Sequence, residues 1–149
     1  MSGFLKGFQH FALLIARLGL GGVMIAHAWY RWQISGIDTQ IAYLTAHGVP
    51  YPQWVAWAAI IGEGIGGLFL IVGLLTPLVG LGFLVEQILI ISWTRWYHFY
   101  VTAGGFEYEL IIGVLSLVFL AFGAGKVSID RVFRRSKNEP DGIDDRSPA

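Results

Sequence analysis

The sequence predicts an all-α integral membrane protein: a four-transmembrane-helix bundle, with a short interfacial amphipathic helix in the first loop. Three observations carry that expectation. Of the 149 residues, 55% are apolar and only 13% charged, where soluble domains carry about 25% charged residues. A chain this small has too much surface for its volume to hide so much apolar area from water. The apolar residues also fall into four long runs, near the roughly 20 residues that a spanning helix requires.

The first run extends from about Phe11 to Trp32 and follows Lys6. Ala26-His27-Ala28 mimics the small-x-small site of a cleaved leader. Arg17 breaks the run, however, and three more runs follow, so it reads as a retained first helix. The second run covers about Trp54 to Leu75 and the third about Leu78 to Tyr97. Thr76-Pro77 joins them as a tight hairpin, with a proline suited to the first turn of a helix. His98 to Phe106, containing Gly104-Gly105, leads to the fourth and shortest run, about Glu107 to Ala124.

The longest connection lies between the first two spans. There Ile34, Ile37, Ile41 and Leu44 recur at near-helical spacing around Asp38, Thr39 and Gln40. Ser35 with Asp38 three residues on has the form of an N-cap, and Gly48 followed by Pro50 is a stop signal. These residues read as the short amphipathic helix lying at the interface; an irregular loop is the competing reading.

Lys6 precedes the spans, and Lys126, Arg131, Arg134, Arg135 and Lys137 follow them. With four crossings, that asymmetry places both termini in the cytoplasm, against the smaller weight of Arg31 and Arg95 on the other side. The expected setting is the bacterial cytoplasmic (inner) membrane, crossed several times. Residues 1–131 form the membrane domain, and 132–149, rich in proline and mixed charge, form a polar, disordered cytoplasmic tail. The twenty glycines suit close helix packing in lipid, and Gly62 to Gly66 is a small-xxx-small contact face beside Glu63. Gly19-Leu20-Gly21-Gly22 echoes Gly64-Ile65-Gly66-Gly67, an echo that the abundance of glycine accounts for.

Several functions are excluded. A net charge of zero argues against nucleic-acid binding. The absence of cysteine removes disulfides, thiolate metal sites and thiol redox chemistry by this chain. What remains is a set of ionisable residues inside the spans, where charge is costly, faces the bundle interior and marks candidate functional sites. Counted from the span ends, Arg17, Glu86 and Glu63 lie about 9, 12 and 14 Å deep. They are expected to form a buried ion pair, Arg17 with Glu63 or Glu86, because buried ions persist when paired. A purely structural pair that fixes helix register accounts for them equally well.

A second set sits near the outer face: His27, Arg95, His98 and Glu109, with Glu63 reaching between the two levels. The many aromatics beside them, among them Trp29, Trp32, Trp54, Trp93 and Trp96, read as an interfacial belt. Histidine and glutamate are not belt residues, and both exchange protons when their surroundings shift them. His27, Glu63, Arg95, His98 and Glu109 are therefore the expected ligand-binding residues. A quinone headgroup fits such a pocket, with donors for its carbonyl oxygens, aromatic walls and a proton partner. Haem ligation by His27 and His98 requires that they face each other; with no spacing signature behind it, haem is disfavoured and no metal site is expected. No catalytic residue is assigned.

Several segments, in order, resemble the DoxX family of small bacterial membrane proteins. Arg17-Leu18 opens a glycine-rich first helix, and Gly48-Val49-Pro50-Tyr51-Pro52 follows the amphipathic loop. Glu63-Gly64-Ile65-Gly66-Gly67 leads to Gly73-Leu74-Leu75-Thr76-Pro77, and His98 ends the third helix. Gly105-Phe106-Glu107-Tyr108-Glu109 opens the fourth, and Gly123 to Asp130 closes it, with alanine where the family often has proline. The resemblance extends to about Arg131. It implies a four-helix inner-membrane bundle and an association with redox and oxidative-stress complexes; the family's named member is similar to a subunit of thiosulfate:quinone oxidoreductase. It marks Arg17, Glu63, His98 and Glu109 as family-like, while Glu86, Arg95 and His27 are left unmatched by the quoted segments.

The leading expectation is a subunit of a redox-associated membrane assembly, at most a non-catalytic or quinone-interacting part of an oxidoreductase. Its partners are membrane lipids and either other subunits or further copies of itself. Two alternatives stand beside it: an accessory subunit that stabilises a larger complex, and a small proton or solute transport protein.

Overall fold

The structure, a computed structural model, describes residues 2–125, 128 and 129; the tail expected over 132–149 lies outside the described residues. Among the described residues all regular secondary structure is helical. Helix α1 (Ser2–Trp29) runs into a π-helical turn (Tyr30–Ile34), followed by α2 (Ile37–Ala46) and α3 (Pro52–Val72). Helix α4 (Thr76–Ile90) likewise ends in a π-helical turn (Ile91–Arg95), and a short 3-10 turn (Val101–Ala103) precedes α5 (Glu107–Phe122). Three stretches are long and apolar enough to cross a membrane: Phe4–Ile34, Pro52–Val72 and Thr76–Arg95. With 16 residues, α5 is apolar but short of the roughly 20 that a span requires.

Local chemistry sets the boundaries. Pro52 and Pro77 occupy the first turns of α3 and α4, where a missing N–H costs nothing. Gly73 ends α3 at φ 73°, and its N–H returns to the Leu70 and Phe69 carbonyls, the usual left-handed stop. The cap of α2 differs from expectation. Ser35 is drawn into the preceding π turn, its N–H donating to the Tyr30 carbonyl at 2.8 Å. Gly36, at φ 83°, stands at the N-cap without a side-chain bond.

Helix α1 packs antiparallel along α3, α4 packs along α5, and α3 and α4 form a hairpin. Glycines decide how close the first pair comes. A Cβ on Gly67 would lie 2.7 Å from the Gly21 carbonyl oxygen, and one on Gly21 would lie 2.7 Å from that of Gly67. Two of the echoing glycines thus meet backbone to backbone. Gly80 plays the same part between α4 and α5, where a Cβ would stand 2.8 Å from the Ser116 carbonyl oxygen. The contact face expected at Gly62–Gly66 is shifted: Gly66 accommodates the Phe83 ring, whereas Gly62 faces open space. Leu20, Met24, Leu70, Phe83, Ile112 and Phe119 fill the centre. Helix α2 folds onto α3 through Leu44, Val49 and Ala56.

Arg17 is buried, but not where the depth count places it. Its Nη1 donates to the Ala124 carbonyl at 2.7 Å and its Nη2 to the Ile71 carbonyl at 3.3 Å. It closes the bundle where α3 and α5 end. Gly73 makes room for it, since a Cβ there would lie 2.6 Å from Nη1. The expected pair of Arg17 with Glu63 or Glu86 is not formed among the described residues. The α1–α3 register, fixed at Gly21–Gly67, sets Arg17 beside Ile71 and brings Arg31, about 21 Å further along α1, to Glu63 instead.

Candidate functional site

At the opposite end of the bundle from Arg17, four helices leave a cavity of about 330 Å³. The π turn after α1 carries Arg31, whose Nη1 lies 2.7 Å from Glu63 Oε1 and 3.7 Å from Glu86 Oε1. One guanidinium from α1 therefore serves carboxylates from both α3 and α4. Glu63 is only 1% exposed, a depth at which a carboxylate without a cation is strongly unfavourable. The π turn after α4 carries Arg95, whose Nε lies 3.0 Å from Glu109 Oε1 on α5. Its Nη1 also donates to the Gly105 carbonyl at 3.4 Å, tying the loop to the site.

A third polar pair joins α1 to α5: Tyr108 Oη and His27 Nε2 share a hydrogen bond of 3.1 Å. His27, Arg31, Glu63, Arg95, Tyr108 and Glu109 all line the cavity, with Gln87 and the apolar side chains of Met24 and Ile112. Guanidinium, imidazole and phenol supply donors, carboxylates supply acceptors, and the remaining wall is apolar. This is the composition of a small-ligand pocket, at the lower end of the usual size range of about 300–1,000 Å³.

Of the residues expected to bind a ligand, the fold brings His27, Glu63, Arg95 and Glu109 together. His98 stands apart, exposed in the loop after α4 and outside the cavity lining. Its backbone carbonyl accepts from the Phe106 N–H at 3.1 Å. Glu86 stands behind Arg31 and does not line the cavity. Arg31, Tyr108 and Gln87 were not singled out by sequence reasoning. Arg31 is the principal omission: it follows the apolar run directly and reads as a flanking charge. The signal that exposes it is its position one turn beyond His27 on the same helix. Trp29, Trp32, Trp54, Trp93 and Trp96 are exposed and do not line the cavity.

Span-length apolar helices enclosing buried, paired charges define a helical membrane protein. The model of the DoxX family matches residues 12–96, more than half of the chain, and the protein belongs to that family. The match includes Arg17, His27, Arg31, Glu63, Glu86 and Arg95; His98 and Glu109 lie beyond it. Comparison with curated proteins and with solved structures gave no match.

Proposed function

We propose that this DoxX protein binds a quinone-type headgroup in the cavity bounded by Arg31–Glu63 and Arg95–Glu109, as part of a redox-associated assembly in the bacterial cytoplasmic membrane. The observation that carries the reading is the cavity itself: a space for one substituted ring, walled by apolar side chains and edged by two guanidiniums, an imidazole and a phenol. Guanidinium N–H groups are donors only, and a ring bearing oxygen at its edge is their natural complement. In this reading α5 is the fourth span, its 16 residues giving about 24 Å of rise, completed by the segments on either side. Both termini are cytoplasmic, α2 lies at the outer interface, and the cavity opens in the outer half of the bundle. Electron-carrying cofactors belong to partner subunits, because the chain offers binding and proton-handling groups without cysteine.

The test is purification in mild detergent followed by mass spectrometry of what remains bound. A quinone-class molecule, oxidised or reduced, retained by the parent supports the proposal. Parent protein that carries phospholipid alone, from membranes rich in quinone, refutes it.

A further inference from the structure

The two helices that bear the cavity's arginines end in the same words. Trp29-Tyr30-Arg31-Trp32 closes α1, and Trp93-Thr94-Arg95-Trp96 closes α4: two copies of Trp-x-Arg-Trp. Each tetrapeptide lies at or within a π-helical turn, Tyr30–Ile34 and Ile91–Arg95. Such turns are rare and concentrate at functional sites. Each arginine then meets a buried glutamate on the antiparallel helix packed against its own, Arg31 with Glu63 at 2.7 Å and Arg95 with Glu109 at 3.0 Å. The pairs use the same glutamate oxygen through different guanidinium nitrogens, Arg31 Nη1 and Arg95 Nε, and Arg31 also faces Glu86 at 3.7 Å. In both glutamates Oε1 receives the guanidinium, while Oε2 is buried without a hydrogen-bond partner. All four side chains line one cavity.

We propose that the α1–α3 and α4–α5 pairs are two equivalent half-sites, and that the ligand between them is a flat ring with two hydroxyl groups at opposite ends: the reduced, quinol form. This rests on the quinone-type reading of the cavity and specifies which oxidation state it holds. Each half-site offers a guanidinium with N–H groups beyond those its ion pair occupies, beside a carboxylate oxygen that lacks a donor. A hydroxyl serves both, accepting from the arginine and donating to Oε2. A carbonyl only accepts, so a quinone leaves Oε2 of Glu63 and of Glu109 unsatisfied. A ring with a single hydroxyl satisfies one half-site.

The experiment uses the full chain in mild detergent under anaerobic conditions. Binding of duroquinol, its monomethyl ether and duroquinone is followed by tryptophan fluorescence. Duroquinol is expected to bind about tenfold or more tightly than duroquinone, the size of one charge-assisted hydrogen bond, with the monomethyl ether between them. Glu63→Gln and Glu109→Gln each keep an oxygen for the arginine and place an N–H₂ where Oε2 stood. Each should weaken the preference by a similar factor, and the double variant should reverse it in favour of duroquinone. Duroquinone binding as tightly as duroquinol to the parent overturns the two-hydroxyl assignment and leaves the quinone-type pocket standing. A shift in only one of the two single variants overturns the equivalence of the half-sites. Failure of all three rings to bind overturns the pocket reading and this inference together.

Discussion

Replacing Gly67 by alanine places a methyl group where α1 and α3 touch. The new Cβ would lie 2.7 Å from the Gly21 carbonyl oxygen and 2.9 Å from Ile25 Cγ1, whereas ordinary contact begins at 3.4 Å. The helices must therefore separate locally by about 0.7 Å, the difference between 3.4 and 2.7 Å. A side chain could rotate aside, but the obstacle is a carbonyl held in the α1 hydrogen-bond ladder. Overpacking of a close contact costs about 1–3 kcal/mol, and the rigid neighbour puts Gly67→Ala toward the upper end. Alanine's better helix propensity returns up to about 1 kcal/mol, for a net loss of about 1–2 kcal/mol. Gly22→Ala is the control, because a Cβ there meets nothing within 4 Å and only the propensity gain remains. The two variants, one residue type and one substitution, should differ by about 2–3 kcal/mol and in sign. Unfolding in mixed micelles titrated with sodium dodecyl sulfate and followed by circular dichroism measures both. Equal stability of Gly67→Ala and Gly22→Ala would refute the glycine contact as the element that sets the α1–α3 distance.

Three further outcomes follow from the charges and polar pairs. Arg31→Met removes the cation 2.7 Å from a glutamate only 1% exposed; breaking such a pair costs about 3–5 kcal/mol, and adding Glu63→Met should recover much of it in a double-mutant cycle of micellar unfolding. Arg17→Leu strips a donor from the buried Ala124 carbonyl and from that of Ile71, a loss of about 1–3 kcal/mol; the same titration should show it, and Arg17→Lys should restore only part, since an ammonium cannot reproduce the fork. Tyr108→Phe deletes the hydroxyl bonded to His27 Nε2; at about 1 kcal/mol of stability lost it should leave the fold intact and free the imidazole, visible as a changed histidine ring signal in the nuclear magnetic resonance spectrum.

The helical class and the three span-length helices were legible because they depend on composition and run length, which the sequence carries directly. The hairpin at Thr76-Pro77 was legible because proline has few places to go. Partner choice was not. Arg17 lies in α1 and Arg31 in the π turn that continues it, and depth counted separately from each helix end cannot say which meets Glu63. That choice is fixed by register, and register is fixed by a contact between two residues without side chains. The signal for it was present in the echo of Gly19–Gly22 with Gly64–Gly67, but glycine's frequency hides it until Gly21 and Gly67 are seen to touch. The π turns were hidden for a related reason: they change no residue type, only the angle at which Arg31 and Arg95 leave their helices. Exposure of His98 was equally invisible, because a histidine a few residues past a helix end looks the same in sequence as one inside it.

Register also explains why the two ends of the molecule can do different work. Gly21–Gly67 lies between Arg17 and Arg31 along α1. A slip of one turn at that contact would carry each arginine about 5.4 Å along the axis. Arg31 would leave Glu63 and Glu86 together, and Arg17 would leave the Ile71 and Ala124 carbonyls. The buried Arg17 and Glu63, together with Glu86 and two helix ends, would lose their partners at once, so no neighbouring register is a tolerable alternative. Backbone contact at the glycines sets the distance, the arginines at both ends penalise any slip, and the cavity between Arg31 and Arg95 inherits a fixed geometry. Arg17 contributes to the site in this sense without touching it. Its substitution should therefore loosen ligand binding in proportion to the stability lost, whereas Glu63→Gln should alter which ligand is preferred while the fold stays intact.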